Sequence, residues 1–175
     1  MKHLTLLSLS GNPLGEHGGA ALASDLSSLG CLTSLYLSKT GLGAAGAAAV
    51  ASALPLLTSL ISLYLESNQL GAAGAMSVSA ALSSLSKLQI LHMQNNQIGA
   101  AGAEAVVSAL PCLGSLHTLN LASNLLSFSG AKTVASALHY FTNLVGLYIY
   151  NGSERGLHIG GNNIGDSGAA LIFAA

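Results

Sequence analysis

LISLYLESNQLGAAGAMSVSAALSSLSK, residues 60–87, is followed directly by LQILHMQNNQIGAAGAEAVVSALPCLGS, residues 88–115, and the two segments align from first leucine to last. The pattern extends in both directions. Leu7, Leu35, Leu63, Leu91, Leu119 and Leu147 recur every 28 residues, each inside a run close to LxxLxLxxNxLG. A period of about 20 to 29 residues with this leucine spacing marks a solenoid in which each unit is one short strand plus a helix stacked on its neighbours. The units run 4–31, 32–59, 60–87, 88–115, 116–143 and 144–175, so residues 1–175 form a single repeat domain of about six units with no single globular core.

Within a unit the hydrophobic period changes once. Around Leu35, Tyr36 and Leu37 it is two, which turns the leucines inward and Tyr36 outward on a strand. Gly46, Val50, Leu54 and Leu57 then step by four, four and three, one face of a helix; Gly74, Val78, Leu82 and Leu85 repeat that stripe, as do Gly102, Val106, Leu110 and Leu113. Pro55 and Pro111 stand where those helices run out. Paired glycines such as Gly43 and Gly46, or Gly71 and Gly74, mark the sharp turn from strand to helix. The fifth unit has Ser127 in place of the first glycine, which predicts a slightly altered turn. Asn12, Asn68, Asn96 and Asn124 share one register, where a buried amide can bond the otherwise unpaired backbone of adjacent coils. Thr40 replaces that asparagine in the second unit, so a weaker junction is expected there.

These leucine, asparagine and glycine positions resemble the leucine-rich repeat superfamily, and in particular its ribonuclease-inhibitor-like class, which combines a similar period with a full helix per unit. The resemblance covers essentially the whole chain. It implies an α/β solenoid (horseshoe) with parallel strands on the concave face and α-helices on the convex face. It also implies a protein-binding scaffold, a role that the fold alone does not narrow further.

Composition restricts the partner. Hydrophobic residues make up 51% of the chain and charged residues 6%, with a net charge of −1, and the five basic residues are scattered, so there is no electrostatic footprint for nucleic acid. Gly, Ser and Pro interrupt every apolar run before it reaches membrane-spanning length, which argues against a membrane. The opening MKHLTLLSLSG has the look of a weak secretory leader, but its leucines are already in register with the repeats. Cys31 and Cys112 lie about three coils apart, too far for a disulfide. Two unpaired thiols without a leader indicate a cytoplasmic protein. Neither end has the polar capping unit usual in solenoids, which suggests a fragment of a longer array, or self-association through uncapped ends.

The sixth unit is irregular. Asn162, Ile164 and Gly165 arrive ten residues late, after an insertion near 150–159, and Leu157-His158-Ile159 repeats the alternation of Leu147-Tyr148-Ile149. Either a loop or a short hairpin is expected to project there. Asn151-Gly152-Ser153 spells a glycosylation acceptor, relevant only to a secreted chain.

No catalytic, cofactor or metal constellation emerges. The six histidines show no ligand spacing, the carboxylates are few and dispersed, and the glycine turns lack the Gly-Lys-Ser/Thr of a phosphate loop. What remains is a surface. The strand register places Ser8, Tyr36, Tyr64, His92, Asn120 and Tyr148 in one outward row, with Ser34, Ser62, Ile90 and Thr118 beside it. Tyrosine gives large contact area at low entropic cost. Lys39, Glu66, Gln94 and Asn95 flank the row as a polar rim. The expected function is non-enzymatic binding of a protein partner through Tyr36, Tyr64, His92, Asn120, Tyr148, Lys39, Glu66 and Gln94. Two rival readings come from the resemblance: a GTPase-activating regulator of the Ran type, and the sensor region of an NOD-like receptor. The first is weakened by the lack of an acidic tail and of any arginine other than Arg155. A third, actin capping like that of tropomodulins, is testable by co-sedimentation.

Overall fold

The computed structural model describes residues 3–140, 147–148 and 157–174. Each unit contributes one very short strand: β1 (Leu6–Ser8), β2 (Ser34–Tyr36), β3 (Ser62–Tyr64), β4 (Ile90–His92), β5 (Thr118–Asn120), β6 (Leu147–Tyr148) and β7 (Leu157–His158). All pair in parallel in one open sheet, in the order β1-β2-β3-β4-β5-β7-β6. From β1 to β5 the pairing joins equivalent leucines, Leu7 to Leu35 to Leu63 to Leu91 to Leu119, so the sequence period is also the register.

After each strand the chain turns into a helix: α1 (Gly15–Leu26), α2 (Gly43–Ala53), α3 (Gly71–Leu82), α4 (Gly99–Ala109), α5 (Ser127–Ser136) and α6 (Gly165–Ala174). Pro55 and Pro111 sit in the 3-10 turns Leu54–Leu56 and Leu110–Cys112 that close α2 and α4, where a missing backbone N–H does least harm. Strands lie about 5 Å apart and packed helices about 8 to 10 Å apart, so stacking one layer on the other curves the array toward the sheet. The sheet is therefore the concave face.

The core is a continuous column of leucines between the layers. Leu32, Leu35, Leu37, Leu42, Leu54 and Leu57 of one coil are fully buried, as are Leu60, Leu63, Leu65, Leu70, Leu82 and Leu85 of the next. Helices come unusually close where they carry small residues. A Cβ on Gly19 of α1 would lie 2.8 Å from the Gly46 Cα of α2.

A ladder of amides ties the coils together. Asn68 Oδ1 accepts the Thr40 backbone N–H at 2.9 Å, while its Nδ2 donates to the carbonyls of Leu37 at 2.7 Å and Leu65 at 3.0 Å. Asn96 serves Asn68 in the same way, and Asn124 serves Asn96. At Thr40 the ladder stops. The Thr40 hydroxyl bonds within its own turn and to Asn68, and the Asn12 N–H turns back to the Leu9 carbonyl at a long 3.3 Å. The asparagine contact is thus missing between the first and second coils, where the weaker junction is expected.

Two expectations are corrected. Ser127 does not alter its turn: its φ of 57° is close to the 60° of Gly71, so the fifth coil keeps the geometry and bears a left-handed side-chain residue. Of the two forms expected in the sixth coil the hairpin is excluded, because a hairpin is antiparallel and β6 pairs with β7 in parallel, while the loop falls on residues outside the described ones. Moreover, the strand beside β5 is β7, with Leu119 opposite Leu157 and Asn120 opposite His158, while β6 lies outside β7. The amide ladder follows this arrangement: Asn162 Oδ1 accepts the Asn124 N–H across 38 residues instead of 28. Residues 149–156, with Asn151-Gly152-Ser153 and Arg155, lie outside the described residues.

Candidate protein-binding surface

The outward row of the sheet begins at Ser8, and its aromatic part is built by register alone. Parallel pairing sets Tyr36 opposite Tyr64 and Tyr64 opposite His92, and a strand spacing of about 5 Å leaves neighbouring rings no room to lie flat on the sheet. They stand and stack. The rings of Tyr36 and Tyr64 are 4.4 Å apart and 8° from parallel, and His92 meets Tyr64 edge-on at 4.8 Å and 70°. Offset stacking and edge contacts both suit the ring quadrupoles, so the three side chains are preorganised as one ridge, each half-buried.

The row ends differently from its expected form. Asn120 is buried and its Oδ1 accepts the Ala122 N–H at 3.0 Å, which commits it to the scaffold. The strand next to Asn120 brings His158, also buried, and not Tyr148. Tyr148 is displaced one strand outward, opposite His158. Tyr36, Tyr64 and His92 are thus together, whereas Tyr148 is separated from them by Asn120 and His158.

Two residues further along each strand runs a second outward row, Ser10, Ser38, Glu66 and Gln94. Glu66 and Gln94 are half-buried, and Lys39 stands exposed at the rim with φ 55°. A cavity of about 500 Å³ opens on the concave side where small residues, Ser8, Ser10, Gly11 and Ser38, form a floor. Tyr36, Tyr64, Glu66 and Lys39 rise around it. This trough was not foreseen; the signal for it was the run of serines at these positions in the first two coils, flanking tyrosines in the next.

Electrostatics on the ridge favour neutral side chains. Burial, then the neighbouring Tyr36 phenol and the Glu66 carboxylate, push the Tyr64 hydroxyl above its ordinary 10.0. Burial holds His92 below its ordinary 6.5 and outweighs the attraction of Glu66, with His158 acting in the same sense as burial. At neutral pH the ridge therefore presents uncharged aromatic faces beside one carboxylate.

Among the described residues no three His, Cys, Asp or Glu side chains converge on a point that could hold a metal ion, and no helix is long and apolar enough to cross a membrane. Cys31 and Cys112 are free thiols at the surface. A Leucine Rich repeat family model matches residues 1–23, 31–51, 57–79, 84–107 and 155–173, well over half of the chain. No curated protein matches it. The last matched segment begins just before β7, in agreement with the strand that takes the place beside β5. The matched segments carry the leucines of the strands and the glycines that open the helices, and the chain belongs to the leucine-rich repeat family.

Proposed function

We propose that this domain is a non-enzymatic module of the ribonuclease-inhibitor-like class that grips a protein partner with its concave sheet. Repeats of the family generally mediate contacts between proteins, and the class assignment is supported by a ten- to twelve-residue helix in every unit together with the 28-residue register. The observation that carries the binding reading is the ridge itself. Two tyrosines and a histidine are held half-exposed in a fixed stack, so a partner buries large apolar area there with little further loss of side-chain freedom. Glu66, Gln94 and Lys39 supply the polar rim, and Tyr148, on β6, belongs to the same proposed contact set. Exposed thiols at Cys31 and Cys112 fit a reducing compartment such as the cytoplasm.

The test is capture of partners from native lysate by the wild-type chain and by Tyr36→Ala/Tyr64→Ala, after circular dichroism shows both folded. A convex-face control, Phe128→Ala, replaces an exposed side chain of α5. The expected result is a partner retained by wild type and control and lost by the double variant. Equal capture by all three would remove the ridge from the binding surface.

A further inference from the structure

The trough also constrains what the partner presents, granted that the concave sheet is the binding face. Glu66 Oε2 and Gln94 Oε1 are buried and accept no hydrogen bond. An unmet acceptor in a covered position is costly, most of all on a carboxylate. Of the two, Glu66 lines the cavity, and an occupant that brings N–H donors supplies what its carboxylate lacks. Glu66 is half-buried as a residue and already lines the cavity.

Beside them stands an aromatic face with nothing large to cover it. Tyr64 stacks on one side of the Tyr36 ring. On the other side the row continues with Ser8, whose side chain is too small to shield the ring, and the cavity of about 500 Å³ opens at this place. A planar cation suits both features: it stacks on the ring and donates in its own plane to a carboxylate. Guanidinium has that shape and five donors, whereas ammonium is a compact, strongly hydrated point charge. We infer that an arginine side chain of the bound protein enters the trough, laying its guanidinium on Tyr36 and donating to Glu66. Lys39 at the rim carries the same sign as this ligand and works against it. Its removal therefore strengthens binding, a response that a purely apolar contact would not show.

The probe is N-acetyl-arginine methylamide, titrated into the isotope-labelled chain and followed by amide chemical shifts, with the neutral isostere N-acetyl-citrulline methylamide in parallel. Arginine is expected to move the amides of Tyr36, Lys39 and Glu66, and citrulline to bind about tenfold more weakly. Glu66→Gln, which preserves shape, is expected to weaken the arginine probe about tenfold. Lys39→Asn, suited to the left-handed backbone there, is expected to tighten it about twofold. No shift with arginine, equal shifts with citrulline, or binding indifferent to Glu66→Gln would each overturn the assignment. If the probe fails while Tyr36→Ala/Tyr64→Ala still abolishes partner capture, the arginine is wrong and the binding face stands; if capture ignores the tyrosines, the face itself falls.

Discussion

At the scale of single residues, the repeat shows where a local rule is broken and kept going by its neighbours. Ser127 occupies a left-handed turn that glycine fills at Gly43, Gly71 and Gly99. A side chain there costs about 1 kcal/mol relative to glycine. Because Ser127 is exposed and its N–H still bonds the Asn162 carbonyl, Ser127→Gly should raise stability by roughly that amount, read as a higher urea midpoint at unchanged slope. His92 makes a prediction of the opposite kind. Its proton affinity is lowered by burial, so below the ordinary value of 6.5 the unfolded chain binds a proton that the folded chain resists. Stability from this site is complete above that value and is lost as pH falls through the folded one. Chemical denaturation at about pH 7.5 and about pH 5 should show wild type losing more midpoint than His92→Gln, and equal losses would refute the buried, neutral His92. The same logic predicts that acid weakens any cationic ligand of the trough, since a protonated His92 adds like charge.

At the scale of elements, the sequence was legible wherever one residue type had one possible job. Leucines at strand and helix periods fixed β1 to β5 and α2 to α4, and the ladder of Asn68, Asn96 and Asn124 followed from their common register. The exchange of β7 for β6 was harder because Leu147-Tyr148-Ile149 and Leu157-His158-Ile159 carry the same alternation, and alternation cannot choose between them. The deciding signal lay downstream. Asn68 follows Leu63 by five residues, as Asn162 follows Leu157, whereas five residues after Leu147 comes Gly152. The later segment, which carries the asparagine, continues the amide ladder from Asn124 and is the one found beside β5. The ridge was visible through its register, but the burial of Asn120 was not, since outward alternation says nothing about what covers a residue. The close approach of helices was missed at Gly19. A Cβ there would meet not only the Gly46 Cα at 2.8 Å but also its carbonyl oxygen at 3.0 Å, and neither backbone atom can rotate away. Gly19→Ala should therefore push α1 from α2 and destabilise the first coil by about 1 to 3 kcal/mol, even though alanine is the better helix former by about 1 kcal/mol. A thermal midpoint at or above wild type would mean that the helices are freer to separate than this packing allows.

At the scale of the whole molecule, a solenoid is held by contacts between nearest neighbours, and its stability approximates a sum of unit and interface contributions. The weakest interface then decides where the chain opens first. Among the described residues the junction that lacks the asparagine contact is the one between the first coil and the second, and it is the one expected to open first. Thr40 supplies no amide to the turn before it, the Asn12 N–H falls back on a 3.3 Å bond within its own turn, and Leu7 is only half-buried while its equivalents Leu35 and Leu63 are fully buried. Residues 6–26 should therefore exchange their amide hydrogens through local opening well before those of β3, α3 and β4, whose coils are joined by complete asparagine contacts on both sides. Thr40→Asn offers the missing acceptor to Asn12 and a donor to the Leu9 carbonyl, in the arrangement Asn68 already uses toward Thr40 and Leu37. Each regained bond is worth about 0.5 to 1.5 kcal/mol, so the substitution should slow exchange in β1 and α1 about tenfold while leaving β4 and α4 unchanged. Uniform slowing along the chain would show that the domain opens as one cooperative unit. No slowing would show that Asn12 is satisfied by water, and that the first coil is limited by its leucines. Since Ser8, Ser10 and Gly11 of that coil floor the trough, the same substitution is also expected to steady the surface against which Tyr36 receives its ligand.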